Sequence, residues 1–166
     1  MNRTLRIGET SKPQLLADLR AAGVQLNAAA EELFADERFT TAPTRSLVEV
    51  ATLSVASLTE GKGATFATLL ELAAARDLFP CPLELAAHFR LQYLDQPEGA
   101  MGHAPSQHRA PPGSITVASA PLDDADETPK GFYLRRIEGV PWLRGYRSWP
   151  GHVWSPDDVL AFARTS

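Results

Sequence analysis

Gly131-Phe-Tyr-Leu-Arg-Arg-Ile-Glu-Gly-Val-Pro-Trp-Leu-Arg-Gly-Tyr-Arg147 is the stretch whose reading decides the fold class. Aromatic and branched residues fill both halves, and Glu138-Gly-Val-Pro141 separates them. Two β-forming runs about a glycine turn predict a pair of antiparallel strands. Working outward, residues 115–120 predict a further strand, and the Asp-rich segment 122–130 an exposed loop. Earlier in the chain, Leu47, Val48, Val50, Leu53, Val55 and Leu58 predict a strand over residues 46–59 that ends in a bend. Strands thus outnumber crossover helices and follow one another closely. The expectation is an α+β fold: an antiparallel or mixed sheet with helices packed on one face.

Residues 1–40 predict a helical hairpin ahead of an α+β domain spanning residues 46–166. Ser11-Lys-Pro-Gln14 has the form of a capping box, Leu15, Leu16 and Leu19 follow at helical spacing, and Gly23 stands where a helix ends. Asn27 caps a second helix over residues 28–35. A DNA-reading helix-turn-helix is disfavoured, because Glu31, Glu32, Asp36 and Glu37 would oppose phosphates. Residues 38–45 form a linker. Gly61-Lys-Gly-Ala-Thr65 imitates a phosphate loop, but Gly63 stands where Ser or Thr must follow the lysine. It is read as a turn, with Thr65 capping a helix that carries Phe66, Leu69, Leu70, Leu72 and Ala73. Phe79-Pro-Cys-Pro82 ends that helix. Pro82 opens a short one over residues 83–87, and residues 89–94 follow as a strand. Residues 96–114, rich in Gly and Pro, predict a flexible surface loop. Ser155-Pro-Asp-Asp158 predicts a short helix in the tail, although Val159, Ala161 and Ala163 also alternate with larger residues as in a strand.

The chain of 166 residues is 44% apolar and 22% charged, a mix that supports a sizeable core. A net charge of −4 argues against broad binding to nucleic acid or an anionic membrane. The single cysteine, Cys81, forms no internal disulfide, which fits a reducing cytoplasm. Residues 1–9 lack the apolar core of a secretory signal, and no apolar run approaches the ~18 residues needed to span a bilayer.

Chemistry-bearing residues concentrate in two places. Cys81, Glu84, His88, Arg90, Asp95 and Glu98 lie close in sequence, so His88 with Asp95 or Glu98 is a candidate acid–base pair and Cys81 a candidate nucleophile. Against this, a proline-flanked Cys81 reads as a small buried apolar group, and His88 as the closing residue of a short helix. His103, His108 and His152 lack acidic or sulfur partners at ligand spacing. In the C-terminal part, Lys130, Arg135, Arg136, Arg144 and Arg147 accompany Trp142, Tyr146, Trp149 and Trp154. Aromatic faces beside guanidinium groups suit a planar anion, a single nucleic-acid strand or a protein partner.

Cys81-Pro-Leu-Glu-Leu85, His88-Phe-Arg-Leu-Gln-Tyr-Leu-Asp-Gln-Pro-Glu-Gly99, Trp142-Leu-Arg-Gly145 and Trp154-Ser-Pro-Asp-Asp158 resemble a family of small uncharacterised bacterial proteins, some of which carry a helicase label. The resemblance covers about two-thirds of the chain and implies no established activity. A helicase motor is physically implausible, since the chain has no Walker-type loop. Taken together, the residues predict a non-catalytic cytoplasmic binding or interaction module. Its expected surface comprises Arg90, Gln92 and Asp95 on the central strand, with Trp142, Arg144, Tyr146 and Arg147 on the hairpin. A small anionic ligand or a protein partner is expected there. Nucleic acid and membrane are disfavoured, and no cofactor is implied. The alternatives are a small hydrolase or transferase using His88, and single-strand binding by the Arg/Trp hairpin.

Overall fold

The computed structural model describes residues 1–99 and 111–164. In chain order they form β1 (Asn2–Ile7), α1 (Lys12–Ala21), β2 (Gln25–Leu26), α2 (Ala28–Ala35), β3 (Ser46–Ser54), α3 (Val55–Thr59), β4 (Ala64–Thr65) and α4 (Phe66–Ala74). There follow β5 (Leu78–Phe79), α5 (Leu83–Leu91), β6 (Ile115–Val117), β7 (Gly131–Ile137), β8 (Val140–Tyr146), β9 (Val153–Trp154) and β10 (Val159–Arg164). The main sheet runs β1-β3-β10-β6-β7-β8-β2, with β5 also paired to β10. It is mixed: β10 lies parallel to β6 and β2 parallel to β8, and the other pairings are antiparallel. A separate ribbon joins β4 to β9.

Alternation along the central strands divides the interior in two. Val50, Val117 and Ala161 belong to one core cluster, while their neighbours Ala51, Ala118, Leu160 and Phe162 belong to the other. Consecutive strand residues point to opposite faces, so the sheet is covered on both sides. Leu15 and Leu19 of α1, Leu33 and Phe34 of α2, and Leu85 and Phe89 of α5 fill the first cluster. Val55 and Leu58 of α3 and Leu69 and Ala73 of α4 fill the second. The expected α+β sheet is therefore mixed, and its helices occupy both faces instead of one.

Local signals explain most elements. The predicted hairpin forms as β7 and β8, in register from Gly131 opposite Tyr146 to Ile137 opposite Val140. Ser11 caps α1 by accepting from the Gln14 N–H at 3.3 Å. The reciprocal half of the box does not form, because the Gln14 amide donates to Asp18 instead. Gly23, at φ +77°, ends α1: its N–H donates to Arg20 O and that of Val24 to Leu19 O. Thr65 caps α4 as expected. Ser54 caps α3, which is the bend at the end of the long strand.

Three further expectations are corrected. The chain opens on a strand and not on a helical hairpin, since Leu5 and Ile7 bury one face of β1 against the first cluster. Residues 89–94 are not a strand: α5 continues to Leu91, because Leu85 and Phe89 are buried one helical turn apart. The tail is strand β10, buried on both sides between β3 and β6. There the Asp158 side chain accepts from the Ser155 N–H at 2.9 Å, closing a turn where a helix start was expected. The loop prediction falls largely on residues 100–110, outside the described residues.

Candidate functional site

Arg90 does not face solvent. The shift from strand to helix aims it inward, where it is wholly buried. Its guanidinium donates to Gln96 Oε1 at 2.7 Å, to the carbonyls of Arg135 and Trp142 at 3.3 Å each, and to that of Tyr93. Burial lowers its pKa to about 10, so it stays charged at neutral pH and clamps α5 to the β7–β8 hairpin. Gln92 is also committed: its amide accepts from the Arg6 N–H at 3.0 Å and donates to Arg6 O at 2.8 Å, as a strand partner would for β1. Asp95 is exposed on the turn after α5. On β8, Trp142, Arg144 and Tyr146 alternate with the buried Leu143 and Gly145 and share one face. The Arg144 guanidinium lies 4.9 Å from the Trp142 ring centre, and its Nε donates to the Tyr133 hydroxyl at 2.8 Å. Arg147 pairs with Glu32 at 2.5 Å.

The seven expected residues therefore do not make one surface. Arg90 and Gln92 serve packing, and Arg147 is held by an ion pair on the α2 side. The basic residues scatter as well, since Arg135 and Arg136 are consecutive on β7 and project to opposite faces. Lys130 donates to the backbone oxygens of Asp123 and Ala125.

The candidate catalytic residues are built into the first cluster. His88 is buried, and its Nε2 accepts from the Gly8 N–H at 3.3 Å. Its carboxylate neighbour is Glu84, one helical turn earlier at 3.7 Å, rather than Asp95 or Glu98. Desolvation pushes the His88 pKa below its ordinary value, against the opposing pull of Glu84. Glu84 accepts from the Ala42 N–H at 2.9 Å, and Glu98 from the Gly139 N–H. Cys81 is buried with its thiol toward Ala161 O, and burial raises its pKa to about 12. A thiol held protonated is a poor nucleophile. Of the three candidate metal ligands, His103 and His108 lie outside the described residues. His152 stacks edge-on between Trp149 and Trp154, at 5.2 and 5.3 Å. No cluster of metal-binding side chains occurs among the described residues.

A cavity of about 220 Å³ opens on the other face of the sheet. Phe66 and Leu70 of α4 form one wall, and Tyr146, at the end of β8, with Trp154 of β9 forms the opposite wall. Trp149, half exposed, stands over it from the connection between β8 and β9. The fourth side comes from the β6–β7 connection, which brings Ser119, Asp123, Asp124 and Lys130.

Several sequence features converge on this geometry. β9 pairs with β4 so that Trp154 lies opposite Ala64, which sets its ring beside Phe66, centres 6.4 Å apart. A Cβ on Gly63 would come within 2.7 Å of Trp154 O, so the glycine that imitates a phosphate loop is needed for strand approach. Tyr146 meets Trp154 edge-on at 5.7 Å. Its hydroxyl is held protonated by burial. Ser119 is 2% exposed, and its Oγ has no hydrogen-bond partner among the described residues.

Sequence reasoning found Tyr146 and the tryptophan-rich tail but missed Phe66, Ser119 and Asp124. The signal for Phe66 was its place just after the Thr65 cap. Ser119 and Asp124 carry no local signal, because their role depends on long-range strand pairing. No protein-family model matches the chain, and no curated protein or solved structure shows significant similarity to it.

Proposed function

We propose that this chain is a non-catalytic ligand-binding module whose site is the aromatic cavity between α4, β8 and β9. The ligand is a small molecule with an apolar or methylated body and one hydrogen-bonding group. The observation that carries this reading is Ser119: a buried hydroxyl without a partner among the described residues, on the wall of a cavity lined mainly by aromatic, aliphatic and proline side chains, with Asp123, Asp124, Lys130 and Ser148 as its other polar groups. Leaving such a group unpaired costs about 1–3 kcal/mol, which a bound ligand would recover. The volume of about 220 Å³ exceeds the ~150 Å³ in which an apolar protein cavity holds benzene. A few convergent polar groups in an apolar recess are the usual composition of a small-molecule site.

The buried positions of Cys81 and His88, away from the cavity, support a binding role over a hydrolytic one. The burial of Arg90 removes the main reason to expect an anion on the hairpin face. The test is a titration with indole, followed through the indole N–H resonance of Trp149, on the wild type and on Ser119→Ala and Trp149→Ala variants. Saturable shifts in the wild type, with the thermal midpoint of Trp149→Ala no longer raised by indole, would support the site. Flat titrations with indole and with simple aromatic alcohols would refute it.

A further inference from the structure

Resting on the reading of this cavity as a ligand site, we infer that its ligand is a cation: a free small molecule bearing a methylated ammonium group and, at a short distance, a hydroxyl or carbonyl. Phe66, Tyr146, Trp149 and Trp154 bring four rings to one recess. They are set at angles to one another, with Tyr146 at 90° and Phe66 at 43° to Trp154. Rings at such angles line the recess from more than one direction. Each π face is the negative part of a ring quadrupole, and an ammonium ion stripped of strong hydration by methyl groups is the ligand such faces attract.

The charges at the mouth have the same sign preference. Asp123 is answered by Arg38, whose guanidinium reaches it at 2.8 Å. Lys130 already donates to two backbone oxygens, at 3.1 and 2.5 Å. Asp124, exposed on the rim, has no ion-pair partner among the described residues. Lys130 keeps its positive charge while donating to those oxygens, and Arg38 is shared between Asp36 and Asp123; with Asp124, three carboxylates stand against two cations, a balance that opposes an anion and favours a cation.

Ser119 selects between sources of methylated ammonium. A modified lysine side chain ends at its ammonium group and would leave the buried hydroxyl unpaired. A free amino alcohol or an ester of one supplies both the cation and a partner for Ser119.

The experiment follows the Trp149 indole N–H resonance during titration with choline, with its neutral carbon isostere 3,3-dimethylbutan-1-ol, with trimethyl-lysine and with indole. Each is repeated on an Asp124→Asn variant, an exposed change that leaves the core untouched. Choline should bind about tenfold more tightly than the isostere. Asp124→Asn should weaken choline several-fold and leave the isostere unchanged, and trimethyl-lysine should bind more weakly than choline. Isostere or indole binding as tightly as choline would overturn the cationic ligand while leaving the cavity a ligand site. Trimethyl-lysine binding more tightly than choline would overturn the free-ligand assignment. Failure of all four probes would remove the binding site itself, and this inference with it.

Discussion

Arg90 shows what one residue does when its helical phase places it inside. No carboxylate bonds to it among the described residues; three backbone carbonyls and the Gln96 amide replace its water. Gln96, itself 1% exposed, passes the clamp on to Leu134 O and Gly113 O. Arg90→Met should cost about 3 kcal/mol or more, since it strands several buried acceptors at once. Arg90→Lys should recover only part of this, because an ammonium lacks the planar fork. Urea denaturation of the three proteins measures it, and a loss under ~1 kcal/mol for Arg90→Met would mean that water takes over the clamp.

His88 makes a second prediction, with a defined sign. Burial lowers its folded-state pKa below the ordinary 6.5, although Glu84 and Asp18 pull the other way. The unfolded chain therefore takes up a proton first, and stability falls as pH drops below 6.5 toward the folded value. Protonation also removes the lone pair that accepts the Gly8 N–H. His88→Gln, which keeps an acceptor without a titrating ring, should flatten the dependence of the denaturation midpoint on pH in that range. An unchanged slope would assign the acid sensitivity elsewhere.

Among the elements, the seating of α2 on β8 rests on two residues. Asn27 accepts from the Ala30 N–H at 2.9 Å and from the Gly145 N–H at 2.8 Å, and donates to Gly145 O at 3.0 Å. Gly145 lets the helix this close: a Cβ there would lie 2.6 Å from Ala29 C and 2.7 Å from Ala30 N. Both clashing atoms are backbone, so Gly145→Ala must push the whole helix outward, at about 1–3 kcal/mol or more. Asn27→Ala should cost about 2 kcal/mol through the lost cap and the lost strand contacts. Because each change breaks the same docking, the double variant should cost less than the sum, and chemical denaturation of the four proteins reads the shortfall.

This docking also marks where the sequence was readable. Asn27 as a cap was legible, since the cap acts within three residues; its grip on Gly145 was not, because that spans more than a hundred. Phe89, Leu91 and Tyr93 satisfy a strand period as well as Leu85 and Phe89 satisfy a helical one, and six residues are too few to separate the two. Leu91 proves half-buried and Arg90 buried, which is the helical answer. β10 failed in the reverse direction: Asp158 gives a helix-start signal but spends its carboxylate on a turn. The hairpin was legible because turn and strands are adjacent. The cavity was half legible, its rings clustered in the tail but its polar wall contributed from residues 119–130.

At the scale of the whole molecule, the two-faced sheet makes the interior a single mechanical unit. β3 and β10 feed both clusters from alternate residues, so neither layer of helices comes away without exposing the backbone that supports the other. The first cluster is the larger, with α1, α2 and α5 upon it; the second carries α3, α4 and the cavity. Leu85 and Leu69, each wholly buried, probe the two separately. Leu85→Ala and Leu69→Ala should each cost about 2–5 kcal/mol. Far-UV circular dichroism reports both helix layers, whereas fluorescence is weighted to Trp154 in the second cluster. If the sheet couples the layers, both variants shift both probes equally and each protein unfolds in one coincident transition. If Leu69→Ala moves the fluorescence transition alone, the α3–α4 layer opens by itself. The cavity, which draws its walls from α4, β8 and β9, would then close and open with that layer instead of with the fold.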